Sequence, residues 1–260
     1  SKRRGTAGFV IVMQFAENAA YKNSERVVSL GPLTEPYMRE HGLAPNKFIH
    51  IPNGVDYEEW RNPEPLPEKM EKRLKEIRAN GEFIVGYFGG HALSNNLREL
   101  IEVATRLKER KIHFVLVGNG VEKKSLIELA DERGLSNIDF FGPVHKKAIP
   151  TLVKFFDCGY VGAKASPLYR FGICVNKVFD YMAGGLPIIC AITVPSSQVS
   201  EAGCGICVDS GSTDAVVDAV IEMSDNSPEK MKELGERGKK AVREKYRYDI
   251  LAKQFSELFE

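Results

Sequence analysis

From residue 83 onward the chain alternates short apolar runs with amphipathic stretches, and turns rich in Gly or Asn separate them. Runs with a strand signature fall at 83–88, 113–117, 138–141, 158–161, 186–190 and 205–208. Helical spacing fills 94–110, 121–133, 146–156, 175–183, 196–201, 213–224 and 228–246. Successive parallel strands need a crossover, and the crossover helix covers the sheet, so strands buried on both faces read as apolar throughout. The predicted fold is therefore α/β, a parallel sheet with helices on both faces. Ligands of such sheets bind beyond the C-terminal ends of the strands.

The first 60 residues do not read as the beginning of a self-sufficient domain. Residues 7–13 fit a strand or a helix, 15–24 a helix, and 26–30 a short β-branched strand. A helix at 32–41 is stopped by Gly42, a strand follows at 48–51, and Pro52-Asn53-Gly54-Val55-Asp56 closes the section as a tight turn. Three prolines between Arg61 and Pro67 make a stiff connector, and 68–80 is a strongly charged helix or lid with no assigned role. At 260 residues the chain exceeds one typical domain and is short for a two-domain enzyme.

Lys and Arg total 36 against 35 Asp and Glu, which excludes bulk electrostatic attraction to nucleic acid or to an anionic membrane. Five cysteines, an odd number set within or beside predicted elements, favour reduced thiols and a cytoplasmic location. Cys204-Gly-Ile-Cys207 has redox or zinc spacing but lacks a second Cys or His pair, so buried structural cysteines are expected there. The apolar stretch 7–15 is too short to span a bilayer, and no small-residue cleavage site follows it.

The predicted strand-to-helix turns carry the candidate chemistry. Gly89 and Gly90 follow the first strand and let a ligand approach the backbone, with Ser94 or Asn95 available to cap the next helix. Gly118-Asn119-Gly120 forms the second such turn, and Phe141-Gly142-Pro143-Val144-His145 ends the third strand at the same edge, with His145 read as a surface histidine. After the fourth strand, a loop with Pro167 and Gly172 leads into a helix at 175–183 that Gly184-Gly185 closes. A helix start offers unpaired N–H groups and a positive dipole end, which suit phosphate. On this helix Lys177 and Asp180 can face the same way, a cation for phosphate and a carboxylate for ribose hydroxyls. The same pair would also serve as an ordinary surface ion pair on a solvated helix.

The run Asn176-Lys177, Asp180-Tyr181-Met182-Ala183 and Gly185 to Pro187 resembles the donor-binding segment of GT-B glycosyltransferases. The resemblance is to the large retaining family four (glycosyl transferases group 1), and within it to bacterial surface-polysaccharide members with an Asn-Lys-x-x-(Asp/Glu)-Tyr-Met-Ala-x-Gly-x-Pro run. It implies a Rossmann-like donor domain at 83–246, preceded by the remnant of an N-terminal acceptor domain at 1–60 and a linker with the charged helix at 61–82. A C-terminal helix at 247–260 would return toward the N-terminal domain. It further implies that Gly89 and Gly90 face the donor diphosphate, that Val144 meets the base, and that Gly172, Cys174, Val175, Asn176 and Asp180 surround the nucleotide. Lys177 and Arg170 are the candidate catalytic cations, neutralising the departing diphosphate with no metal and no cofactor beyond the nucleotide-sugar donor.

Two departures stand out. Many relatives carry two glutamates across this loop and helix, and the first falls here on Gly172; a basic pair that grips the diphosphate falls near Gly90 and Asn96. By resemblance the reaction is sugar transfer to a glycan or lipid-linked acceptor in surface-polysaccharide synthesis, at the inner face of the membrane. Membrane contact would come peripherally through the missing N-terminal domain, and the isolated fragment is expected to be inactive. The rival readings are a sugar-nucleotide epimerase of the same fold and a non-catalytic nucleotide-binding module.

Overall fold

The computed structural model describes residues 2–259, with side chains described from residue 8. Eight strands run β1 (Val27–Ser29), β2 (Phe48–His50), β3 (Phe83–Phe88), β4 (Ile112–Val117), β5 (Ile138–Phe141), β6 (Cys158–Gly162), β7 (Ile188–Ala191) and β8 (Gly205–Val208). The first four helices are α1 (Lys2–Asn23), α2 (Glu35–Glu40), α3 (Tyr57–Arg61) and α4 (Glu68–Ala79). They are followed by α5 (Leu97–Arg106), α6 (Lys123–Glu132), α7 (Ile149–Val153) and α8 (Asn176–Gly184). The chain ends with α9 (Gln198–Ala202), α10 (Thr213–Asp225), α11 (Pro228–Ala241) and α12 (Tyr248–Ser256).

Six strands form one parallel sheet in the order β5-β4-β3-β6-β7-β8. Alternation along each strand divides the core into two layers. Ile84 and Phe88 of β3 with Val115 and Val117 of β4 face one cluster, which α4, α7 and α8 complete. Val85 and Tyr87 with Phe114 and Leu116 face the other, which α5, α6 and α10 complete. This is the period of two that a pleated strand imposes. The charged helix α4 belongs to the first layer: Met70, Leu74 and Ile77 lie on one stripe at helical spacing and are buried, while its charges face outward.

Several boundaries differ from expectation for identifiable reasons. Residues 2–23 form one helix, whose Phe9, Val10, Ile11, Val12, Met13 and Phe15 are exposed. The segment expected as one helix at 146–156 divides into a 3-10 turn, Lys146–Ala148, and α7, because Pro150 favours the first turn of a new helix. Neither Ser94 nor Asn95 stands at the N-cap of α5; Asn96 does, in the left-handed conformation at φ 50°, with its side chain donating to Glu99 and not capping a backbone N–H. Cys158, Cys190 and Cys204 are buried as expected of structural thiols, whereas Cys207 is open to solvent. Among the described residues no helix is long and apolar enough to cross a membrane.

Near its end the chain returns to residues 54–56. Val55 forms a parallel bridge with Arg247, its N–H donates to Tyr246 O at 2.9 Å, and Tyr248 N–H donates to Val55 O at 3.2 Å.

The seat of α8 is set by two glycines. A Cβ on Gly159 of β6 would lie 2.7 Å from the Tyr181 ring, so that ring rests directly on the strand backbone. The Tyr181 hydroxyl donates to Gly86 O at 3.1 Å, and a Cβ on Gly86 would run into the Phe156 ring at 2.0 Å. Substituting Gly159→Ala overpacks this contact at a cost of about 2 kcal/mol. For a chain of this size that is a fall of about 4–8 °C in thermal midpoint; an unchanged melting curve would show that the seat tolerates a Cβ.

Candidate functional site

The strand order fixes where a crevice must open. From β3 the chain moves outward through β4 and β5, and β6 then returns to pair with β3 on its other side. The connections after β3 and β6 therefore leave in opposite directions, and the gap between them is the switch point at which sheets of this kind bind ligands.

One wall is built of backbone. The parallel ladder continues beyond the strand ends, with Gly89 N–H donating to Val117 O at 2.9 Å and His91 N–H to Asn119 O at 2.8 Å. The approach is so close that a Cβ on Gly118 would sit 1.9 Å from Gly89 O, and Gly118 itself is at φ 145°. Only glycine fits there. Gly90 faces open space. A cavity of about 390 Å³ opens here, lined by Phe88, Gly89, Gly90, Val117, Gly118, Asn119, Pro143, Val144, Lys146 and Ile149. Gly89, Gly90 and Val144 are thus brought together, with peptide groups on one side and an apolar floor on the other.

The start of α8 reaches the rim of this cavity. Lys177 extends across the sheet edge, its Nζ 4.2 Å from the Tyr87 ring centroid and donating to the Tyr87 hydroxyl at 3.2 Å. The tip of its side chain lies 3.3–3.4 Å from where a Gly89 Cβ would be. Tyr87 in turn donates to Gly90 O at 2.7 Å, so one phenol fixes both the cation and the glycine turn. Burial lowers the Lys177 pKa to about 8. Among the described residues no carboxylate pairs with it.

One turn further along, Asp180 is 4% exposed, and Lys146 Nζ holds both its oxygens at 2.6 and 2.8 Å. Glu59 of α3 stands 3.7 Å from the same ammonium. Burial raises the Asp180 pKa and the Lys146 charge opposes that shift. Lys146 was not singled out from the sequence: it begins the helix expected at 146–156, and its contact crosses 34 positions. Its one available signal was its position two residues beyond Val144, at the ligand-binding edge of the sheet.

Other expected site residues lie elsewhere. Arg170 is exposed, stacked over the Phe171 ring at 4.5 Å, and it borders a separate cleft with Thr193, Val194 and Pro195. Gly172, at φ 83°, abuts Pro32, where a Cβ would approach to 2.8 Å. A glutamate at this position would meet both the backbone strain and Pro32. Cys174 Sγ accepts from Asn53 N–H at 3.1 Å, and Asn176 Oδ1 accepts from Asn53 Nδ2 at 2.7 Å. Val175 is the N-cap of α8 in extended conformation. These residues fasten the helix start to the 52–54 turn and do not line the cavity. His145 is exposed and pairs with Glu64 at 3.0 Å. His91 is fully buried with both ring nitrogens unpartnered among the described residues, and burial together with Lys123 and Lys177 lowers its pKa to about 4.

A family model described as glycosyl transferases group 1 matches residues 68–241. The chain is 26% identical over 219 residues to WcaI of Escherichia coli (strain K12), assigned to colanic acid biosynthesis as a glycosyl transferase; the match covers 82% of the chain and 53% of that protein. It is 24% identical over 152 residues to TuaH of Bacillus subtilis (strain 168), assigned to teichuronic acid biosynthesis, covering 58% of the chain and 36% of that protein. The crystal structure of Anabaena Alr3699/HepE in complex with UDP and glucose superposes with a TM-score of 0.74 at 17% identity, over 95% of this chain and 66% of that one. The chain therefore spans about half of the WcaI length and about a third of the TuaH length.

The lowered Lys177 pKa is directly measurable. Its ε-carbon resonance is expected to titrate near 8, well below those of exposed lysines. Above that value the folded chain has released a proton that the unfolded chain still holds, so folding stability rises with pH over about 8 to 10. Denaturant titrations of the wild type and Lys177→Met across this window should show a stability change that is more positive in the wild type, since the contribution of Lys123, also lowered by burial, remains in both. A Lys177 resonance that titrates with the surface lysines would remove the burial argument.

Proposed function

Because the chain belongs to the glycosyl transferases group 1 family, we propose that it is the donor-binding portion of a retaining enzyme that moves a sugar from a nucleotide diphosphate donor to a glycan or lipid-linked acceptor. One observation carries this reading: the switch-point crevice is walled by Gly89 and Gly90, the Lys177 ammonium lies against Gly89 with no carboxylate partner among the described residues, and Lys146 of the same cavity holds the buried carboxylate of Asp180. UDP in the superposed Anabaena protein supports a nucleoside diphosphate as the ligand class. The two curated relatives, assigned to colanic and teichuronic acid synthesis, support a surface polysaccharide as the product.

In this reading the bond from the anomeric carbon to the diphosphate oxygen breaks as the acceptor hydroxyl oxygen bonds to that carbon, the hydroxyl proton passing to the departing diphosphate, with retained configuration. Negative charge develops on the departing diphosphate. The peptide N–H of Gly90, the start of α8 and the Lys177 ammonium are set to receive it, with the Gly89 backbone held close by its own bond to Val117 O, and no divalent cation takes part. Lys177 suits this role because its charge is already partly desolvated and no fixed anion has to be displaced. Asp180 accepts hydrogen bonds from the ribose hydroxyls, and Val144 with Ile149 supplies apolar surface for the base. Arg170, in its separate cleft, is close enough in sequence to join only if its loop moves over the crevice. The acceptor side lies largely outside these residues, so the 260-residue chain binds donor and transfers sugar poorly or not at all.

Calorimetric titration with UDP, GDP and ADP, with and without EDTA, tests the assignment. At least one diphosphate is expected to bind saturably and independently of EDTA, and Asp180→Ala to abolish that binding. Lys177→Ala should weaken the diphosphate by about tenfold or more, the worth of one charge-assisted hydrogen bond, and the free nucleoside much less. Equal weakening of both would sink the phosphate role of Lys177.

A further inference from the structure

The Lys146–Asp180 contact carries an inference that rests on the donor-site reading and deepens it. Lys146 sits on the turn after β5 and lines the cavity, yet its ammonium spends two of its three donors on the carboxylate of α8. That carboxylate is almost wholly removed from water, and an unpaired charge there would be expensive. A carboxylate has about four acceptor positions, and the ammonium occupies one on each oxygen. Among the described residues no other side chain donates to this carboxylate, and Lys146 alone stands between it and the cavity it lines.

We propose that Lys146 is a positioning residue for donor recognition: bound to both Asp180 oxygens, it holds that carboxylate charged and aimed so that Asp180 accepts hydrogen bonds from the vicinal hydroxyls of a nucleotide ribose. The surroundings leave little else to perform this task. Glu59 of α3, the other charged group near Asp180, is an anion and favours protonation of Asp180. On the elements packed against α8, Lys239 of α11 stands against Gly185 at the opposite end of the helix, Lys154 beside α7 is exposed, and Tyr246 lies against Phe179. The hydroxyls of Tyr181 on α8 and Tyr160 on β6 are directed to Gly86 O and Glu99, and Cys190 of β7 faces Cys207. Lys177, a turn earlier on α8, is directed to Tyr87.

Without Lys146, the buried Asp180 loses the interaction that opposes its raised pKa, so that pKa rises further and the carboxyl stays protonated to a higher pH than in the wild type. A protonated carboxyl accepts poorly from a diol, and ionisation at higher pH restores the acceptor. The loss on removing Lys146 is therefore large at low pH and small at high pH. Lys177 also loses its proton near pH 8, which weakens phosphate binding in every variant, so variants are compared with the wild type at the same pH.

The experiment titrates UDP, GDP and ADP, and the 2′-deoxy form of whichever binds, into the wild type, Lys146→Met and Lys146→Arg at pH 6.5 and pH 9. Lys146→Met is expected to bind the ribonucleotide at least about tenfold more weakly than the wild type at pH 6.5 and within about threefold at pH 9, the loss following the protonation of Asp180. Its preference for ribose over 2′-deoxyribose should vanish at the lower pH, and Lys146→Arg should retain both affinity and preference. In an Asp180→Asn background the Lys146 substitution should have no further effect on any residual binding. A Lys146→Met affinity equal to the wild type at both pH values, or an equal loss at both, overturns the proposal; an equal loss would mean that Lys146 touches the ligand directly. Failure of the wild type to bind any of the three diphosphates overturns the donor-site reading itself, whereas wild-type binding without the pH-dependent loss overturns the Lys146 role alone.

Discussion

The site depends on how closely one helix can approach the sheet. Tyr181 lies flat on Gly159 and donates to the Gly86 carbonyl, so α8 sits against β6 at a distance that any larger residue would increase. Because β6 is the strand that returns to β3, this packing sets the first turn of α8 at the switch point, within reach of the β3 turn. Lys177 reaches Tyr87 and the Gly89 rim only from there. A hydrophobic contact in the sheet interior thus determines the geometry of a polar site at its edge, and close packing transmits that placement with little slack.

The charges at the crevice are arranged unequally. Lys146 is matched by Asp180 and by Glu59, whereas Lys177 faces only the π surface and oxygen of a phenol. A cation over an aromatic ring is partly stabilised without being neutralised. Lys177 therefore keeps its net charge, while the Lys146 charge is already committed. A third lysine stands at the same edge, Lys123, whose Nζ donates to Gly118 O and Phe141 O.

The sheet was legible because strands buried on both faces must be apolar throughout, and all six expected strands occur within two residues of their predicted bounds. Lys177 and Asp180 were legible because a three-residue spacing on a helix after a glycine loop is a local signal. Lys146 was not, since its partner lies on another crossover and no local pattern joins them. Tyr87 read as core, which it is; that its hydroxyl orients a lysine follows only from the helix start crossing the sheet edge. Arg170, Gly172, Cys174 and Asn176 were grouped with the ligand by resemblance, and their tertiary contacts with Pro32, Asn53 and the loop after β7 could not be read from their loop. The charge of α4 concealed its buried stripe, because only three of its twelve residues face the core.

The hydrogen bonds from Asn53 to Cys174 and Asn176 join the turn that ends the first section of the chain to the first residues of α8. The next residues, Gly54 and Val55, are locked against Tyr246 and Arg247, where the C-terminal segment comes back. The same first section also meets the loop before α8, where Leu33 N–H donates to Phe171 O and Pro32 stands against Gly172. Any displacement of residues 31–53 would therefore be felt first by the side chains and loop that hold the start of α8, with Asn53 as the tooth between them.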